Sequence, residues 1–546
     1  MKKQVYNTLE TIQKMNEKYE LKTLEEKTTF IYGQMEEFTL KILFVGGFSA
    51  GKSALINAVI GEELLEEGQR PETAIASEII YDTDEYIEAV NGDEKKRYEL
   101  KESAQINIEE YDFLIWHLNR EELKKYQGCT IVDMPGFNSG IQEHNKAILR
   151  YVGRGNAYIL VIDCEDGAIK KNMAQFIEEI KHYDNNIAIA VTKTDLKIDE
   201  DVEQIKDNIR INAEMLFMDQ VSMIATSKYD DSVGEKIESL IRGFDQEKIF
   251  EQEFVPRIYD AGIRCIDSME TYRKGLKLDL LQFDKEIETH EKAKQKLAEK
   301  LKKEKVKLER QFKNSVGPSV INDAHNALQS NVDDLANSLK GGEKNFSMMV
   351  NNILRPVLLE STRQYVEQSF EQFIAGIDFS GMDIDSSLQG IGVNALEKYQ
   401  QANNKIQEIV ENGDKFNVVY KTLTTTLAVV TSTIAPWLEL IIIFLPDIFK
   451  LFGKRNQEEK MRNKVDAIIP QIVEKLRPEI QKSLMEMQEE MVQQAEREIG
   501  SLIDNEVEAL KTARESKEKA SVEFDEKVKD VEQDINEVKN ALEQIV

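Results

Sequence analysis

The chain has 546 residues, with 100 aspartates and glutamates against 71 lysines and arginines and a formal net charge of -29. A chain of this length exceeds what one hydrophobic core serves, so more than one folding unit is expected. The charge excludes a general nucleic-acid binder, because most of the surface would repel a polyanion.

Cys129, Cys164 and Cys265 stand far apart without paired spacing, which supports neither a disulfide framework nor a zinc site and agrees with a reducing cytoplasm. The opening MKKQVYNTLETIQK has lysines but no apolar run behind them, so no secretory signal is readable and a cytoplasmic location is expected. Over residues 1–39, Val5, Leu9, Ile12 and Met15 recur at helical spacing and predict one leading helix or two. Residues 40–246 change character. KILFV, CTIVDM, AYILVID and IAIAVT alternate with amphipathic stretches, the pattern of an α/β domain with a mixed, mainly parallel sheet and helices on both faces.

From residue 247 to 419 the strand signals stop and Glu/Lys-rich helical patterns take over, predicting the first part of a long all-α neck and trunk of coiled-coil-like helices. The charge run from Lys292 to Arg310 reads as a solvated helix face. FSGMDIDSSLQGIG, residues 379–392, reads as a connector. Residues 420–455 are the most apolar stretch, and residues 456–546 return to helical patterning. There, Met461, Val465, Ile468, Ile472, Leu476, Ile480, Leu484, Met487 and Met491 mark a packed seam, with Pro470 and Pro478 as expected kinks. Phe524, Val528, Val531, Ile535, Val538 and Leu542 mark the buried edge of a last helix, expected to pack with the first one as a neck.

Three motifs carry chemistry. GGFSAGKS, from Gly46 to Ser53, fits G-x-x-x-x-G-K-[ST] between a strand and a helix. Backbone N–H groups of Gly46, Gly47, Phe48, Ser49, Ala50, Gly51, Lys52, Ser53 and Ala54 are expected around the phosphates, with Lys52 on the β/γ oxygens and the Ser53 hydroxyl on Mg²⁺. CTIVDMPG places Asp133 to hold Mg²⁺ through water and the Gly136 N–H to meet a γ-phosphate. IAIAVTKTD ends in Thr192, Lys193 and Asp195, where a carboxylate can accept both guanine N1–H and N2–H₂, a donor pair adenine lacks. Ser227 and Lys228, after the next predicted strand, form a further base-contacting loop. Together these predict GTP and GDP as ligands and GTP hydrolysis as the activity. Between the first two motifs, Thr73 in RPETA is the switch candidate, with its hydroxyl and carbonyl available to Mg²⁺ and the attacking water. Phe137 follows Gly136, so no glutamine stands there to orient that water.

AYILVIDCED also fits a different phosphate-site strand, with Asp163 and Glu165 in the roles they take in coiled-coil ATPases. That reading leaves TKTD and DMPG without a use. His117 and His182 have no companions at metal-ligand spacing.

GGFSAGKS, RPETA, DMPG and TKTD, flanked by an amino-terminal helix and a long helical region, resemble the dynamin superfamily and more specifically bacterial dynamin-like proteins. The interval of about 80 residues from Lys52 to Asp133 agrees with that family's extended domain. The resemblance implies that Ser49 helps bind a charge-compensating monovalent cation, K⁺ or Na⁺, that Ser49 and Thr73 order water, and that GTPase domains pair across the nucleotide. Phe48 stands where dynamins carry a polar glutamine. The family also implies a membrane-inserting tip between the two halves of the trunk, and residues 420–455 occupy that place in chain order.

Within that segment Trp437, Leu440, Ile441, Ile442, Ile443 and Phe444 form the apolar run, flanked by Lys450, Lys454 and Arg455 for lipid headgroups. A paddle-like membrane tip, a buried or oligomeric contact and a bilayer span are all open readings, although Glu439 and Pro436 make a span expensive. The expectation is a magnesium-dependent, self-assembling GTPase, at least a homodimer, acting at the inner face of the cell membrane and remodelling it. The alternative is a soluble GTP-dependent scaffold whose apolar segment faces a partner.

Overall fold

The computed structural model describes residues 2–47, 49–65, 75–92, 94–136, 151, 154–170, 173–174, 177, 186–217, 220–278, 280–377, 458–519 and 524–545. The leading segment forms two helices, α1 (Lys2–Lys18) and α2 (Lys22–Glu36). The break falls at Glu20, whose backbone is left-handed at φ 55°, and the Leu21 N–H closes the turn on Asn16 O at 2.8 Å.

Next come β1 (Leu40–Gly46), α3 (Lys52–Ile60), β2 (Ala76–Tyr81), β3 (Tyr86–Asn91), β4 (Glu94–Tyr98), β5 (Phe113–Leu118) and β6 (Cys129–Asp133). They are followed by β7 (Ala157–Asp163), β8 (Ile187–Thr192), α4 (Asp199–Phe217), β9 (Ser222–Ala225) and α5 (Val233–Gly243). The strands form one sheet in the order β4-β3-β5-β2-β6-β1-β7-β8-β9. β6, β1, β7, β8 and β9 run parallel, while β2 is antiparallel to β6 and β3 is antiparallel to both β4 and β5. The sheet is thus mixed and mainly parallel. The carboxyl ends of β1, β6, β8 and β9 share one edge, where α/β sheets place ligands. Helices cover both faces. α3 and α5 pack Leu55, Ile56, Ile237 and Leu240 on one, and α4 packs Val202, Ile209 and Ala213 on the other. The outer strand β4, sequence EKKRY, is exposed and charged, which discourages edge pairing.

The remaining helices are α6 (Gln246–Gly275), α7 (Leu280–Gln311), α8 (Gly317–Ser330), α9 (Val332–Ser338), α10 (Glu343–Gly376), α11 (Glu458–Lys519) and α12 (Phe524–Glu543), with a π-turn at Phe312–Val316 between α7 and α8. They build two cores. One gathers α1, α2, α6 and α12 with the end of α11 around residues such as Leu9, Ile12, Phe254, Met269, Leu510 and Val538. The other runs through α7 to α11. Pro470 and Pro478, read as kink sites, lie inside α11, which continues through both for 62 residues. Tertiary packing of its apolar seam, from Val465 to Met491, outweighs the local cost of the missing N–H groups. At the junction of the two regions Phe38 packs against both the helical core and the sheet core, with its ring 5.4 Å from Phe250 and 5.6 Å from Phe254.

No helix among the described residues is long and apolar enough to cross a membrane. The connector at residues 379–392 and the apolar segment at residues 420–455, including Trp437, Leu440, Ile441, Ile442, Ile443, Phe444, Lys450, Lys454 and Arg455, lie outside the described residues.

Candidate nucleotide site

The phosphate-type loop joins β1 to α3. Gly51 sits at φ 90°, a left-handed backbone that only glycine adopts without strain, and no side chain caps α3 there. At Gly46 a Cβ would stand 2.5 Å from Val161 O, so glycine is also what lets β1 lie this close to β7. Ser49 holds φ 60°, unusual for a residue with a side chain. Lys52 is only 7% exposed and folds back over the loop, its Nζ donating to Gly46 O at 3.3 Å and Gly47 O at 3.1 Å. Burial lowers its pKa and the Asp133 charge opposes that shift.

Ser53 Oγ donates to Asp133 Oδ2 at 3.0 Å, joining the first turn of α3 to the end of β6. Ala54 follows in that turn, half-buried. Asp133 is buried, and its Oδ1 has no hydrogen-bond partner. Burial pushes its pKa up to about 6, against the pull of Lys52 and the Ser53 hydroxyl. Gly136 is buried three residues on. Phe48 and Thr73 lie outside the described residues.

The base-side motifs sit on the next strands. Thr192 Oγ1 donates to Ala50 O at 2.6 Å and to Ile162 O at 3.3 Å, so this hydroxyl buttresses the phosphate loop from β8. Lys193 takes φ 56°, and its Nζ donates to Asp163 Oδ2 at 2.6 Å. Asp195 is exposed in the turn that follows. Thr194 N–H donates to Thr226 O at 3.3 Å, which ties this turn to the loop holding Ser227 and Lys228. The structure therefore brings the phosphate loop, Asp133 and both base-side loops to one edge of the sheet.

Sequence reasoning missed two roles. Thr192 as a buttress follows from β8 lying one strand from β1, and the Asp163–Lys193 pair follows from the parallel register that sets Asp163 opposite Thr192. Neither sheet order nor register is written in the motifs. Asp163, the aspartate of the ATPase-type reading, has its carboxylate engaged by Lys193 and by the Glu165 N–H at 2.9 Å.

The residues fit Mg²⁺. A buried carboxylate oxygen without a partner beside a serine hydroxyl is the donor set this ion takes from protein when phosphates and water complete its shell. Ser53 and Asp133 would hold it, and bound Mg²⁺ would neutralise charge developing on the phosphate oxygens.

Residues 42–195 match the dynamin family. An uncharacterized protein of Caldicellulosiruptor sp. (strain Rt8B.4) is 21% identical over 215 residues, 37% of this chain and 52% of its own length. An Arabidopsis thaliana protein named "Probable transmembrane GTPase FZO-like, chloroplastic" is 25% identical over 236 residues, 39% of this chain and 24% of its own length. The chain thus spans about half of one curated relative and about a quarter of the other. Among solved structures, a chain of an oligomerised bacterial dynamin pair aligns over 100% of this chain and 82% of its own at 14% identity, with a TM-score of 0.41. That score is too low to identify a common fold. The family match spans the phosphate loop, the Asp133 strand and the TKTD turn, so the likeness to the dynamin family rests on residues 42–195, the segment that builds this site.

Proposed function

We propose that this chain binds GTP with Mg²⁺, hydrolyses it to GDP and phosphate, and couples the cycle to self-assembly and membrane binding. The observation that carries the nucleotide half is the Lys52–Ser53–Asp133 arrangement, with a buried ammonium and a buried carboxylate oxygen left for a ligand. In this reading the loop from Gly46 to Ala54 and the start of α3 cradle the phosphates. Ser53, Thr73 and Asp133 hold Mg²⁺, and Gly136 meets the γ-phosphate. Ser49 and Thr73 order the attacking water, with a monovalent cation beside Ser49. Asp195 reads the guanine edge, flanked by Thr192, Lys193, Ser227 and Lys228. The test is turnover of GTP and ATP by the full chain and by Asp195→Ala. GTP preferred by wild type and the preference lost in Asp195→Ala is the expected result; equal ATP turnover by wild type would overturn the guanine reading.

The membrane half rests on residues 420–455, whose apolar run is flanked by Lys450, Lys454 and Arg455. Location at the inner face of the cell membrane follows from it. Co-sedimentation with anionic vesicles, under GTP, GDP and no nucleotide, tests it with wild type beside Ile442→Asp. Binding lost in Ile442→Asp supports a membrane tip. Wild type that turns over GTP but never sediments would make the chain a scaffold instead.

A further inference from the structure

Asp230, between β9 and α5, belongs to none of the motifs, yet it collects four hydrogen bonds. Its Oδ2 accepts from Thr226 Oγ1 at 2.9 Å and Lys236 Nζ at 2.7 Å, and its Oδ1 accepts from Ser232 N at 3.0 Å and Ser232 Oγ at 2.6 Å. Lys236, on the first turns of α5, also donates to Ala225 O at 3.0 Å. Lys236 thus holds Ala225 and Asp230 holds the next residue, Thr226, 1% exposed, whose N–H continues the sheet by donating to Val191 O at 2.9 Å and whose carbonyl accepts from Thr194 N. One side chain therefore anchors the point from which both base-side loops diverge.

We propose that Asp230 and Lys236 are positioning residues for guanine recognition. They do not touch the nucleotide; they set the spacing between the Thr194–Asp195 turn and the Ser227–Lys228 loop, and that spacing decides how well a guanine edge is matched over an adenine edge. The proposal rests on the guanine-nucleotide reading above. The Asp230 carboxyl is held far below the usual carboxylate range by Lys236 first and Ser232 next, so the clamp stays ionised through neutral and mildly acid conditions. A cap for the start of α5 would account for the Ser232 contacts alone. The Lys236–Ala225 and Asp230–Thr226 bonds point the other way, into the recognition loop.

The test compares the full chain with Asp230→Ala, Lys236→Met and Lys236→Arg, reading KM and kcat for GTP, competition by GDP and ADP, and the thermal midpoint. Asp230→Ala and Lys236→Met are expected to raise KM about tenfold, the loss of one charge-assisted bond, with kcat falling much less. The preference for GDP over ADP narrows by a similar factor, and Lys236→Arg stays near wild type. A lowered thermal midpoint with unchanged selectivity would overturn the proposal and leave Asp230 as a helix cap. If Asp230→Ala fails to fold, Lys236→Met, at a more exposed position, carries the same comparison. Wild type without any preference for GDP over ADP would instead overturn the guanine reading itself, which separates the two failures.

Discussion

Asp133 in the nucleotide site and Asp260 in the helical neck are both buried carboxylates, 5% and 4% exposed, and they sit in opposite states. Burial works to raise both. At Asp260 it is overcome by Arg264, whose Nε donates at 3.0 and 3.1 Å, and by Lys27 Nζ at 2.9 Å, so the carboxyl is held below its ordinary range. At Asp133 the cations fall short, and one oxygen has no partner. At Asp260 the buried charge is saturated, which makes a specific joint between α2 and α6. At the sheet edge the buried charge of Asp133 is left incomplete, which costs stability.

The comparison breaks first at Asp260. Asp260→Ala removes the carboxylate shared by the buried Arg264 guanidinium and Lys27, leaving Arg264 its Ser501 contact, and should cost about 3 kcal/mol of stability, read as a fall in the denaturation midpoint. Because its folded pKa is depressed, its stabilisation is present above the ordinary carboxylate range and lost as pH falls through it, so the gap to wild type should close in acid. A gap independent of pH would mean the ion pair is not its source.

Lys52→Met gives the converse. GTP turnover should fall by about 10²–10³-fold, while the thermal midpoint without nucleotide does not fall, because a desolvated ammonium has been removed. A large loss of stability would show that Lys52 supports the fold.

Asp133→Asn should make the nucleotide-free protein more stable than wild type at pH 7.5, by about 3 kcal/mol, while removing stabilisation by Mg²⁺-GTP. The folded pKa of about 6 lies above the ordinary value, so wild type loses stability as pH rises from the ordinary value through about 6. The advantage of the variant should vanish near pH 4. Urea titrations at the two pH values check it.

Smallest is the exposed pair Lys294–Asp504, with side chains 46% and 45% exposed. Lys294→Ala should change stability by less than about 1 kcal/mol, a control showing that burial rather than charge makes Asp260 and Asp133 matter.

Much of this was legible beforehand. KILFV, CTIVDM and IAIAVT became β1, β6 and β8 because their unbroken apolar runs can only be buried on both faces. The Met461 to Met491 seam became one side of α11 for the same kind of reason. The prolines at 470 and 478 do not end the helix, since local propensity is weak against a core of this length. The Asp260–Arg264–Lys27 joint was not legible, because Lys27 and Asp260 are brought together across more than two hundred residues of chain.

By itself the sequence determined which of the described segments are strands and helices and where a turn needs glycine, since left-handed glycine positions and apolar periodicity are local properties. Only the tertiary structure decided what each strand-end aspartate meets. Sheet order places β6 and β7 on either side of β1. On the β6 side Asp133 meets Ser53 and keeps an oxygen free, while on the β7 side Asp163 is taken by Lys193 from β8. Two aspartates alike in sequence context differ because neighbours distant in the chain, and not adjacent residues, set the charge each one meets.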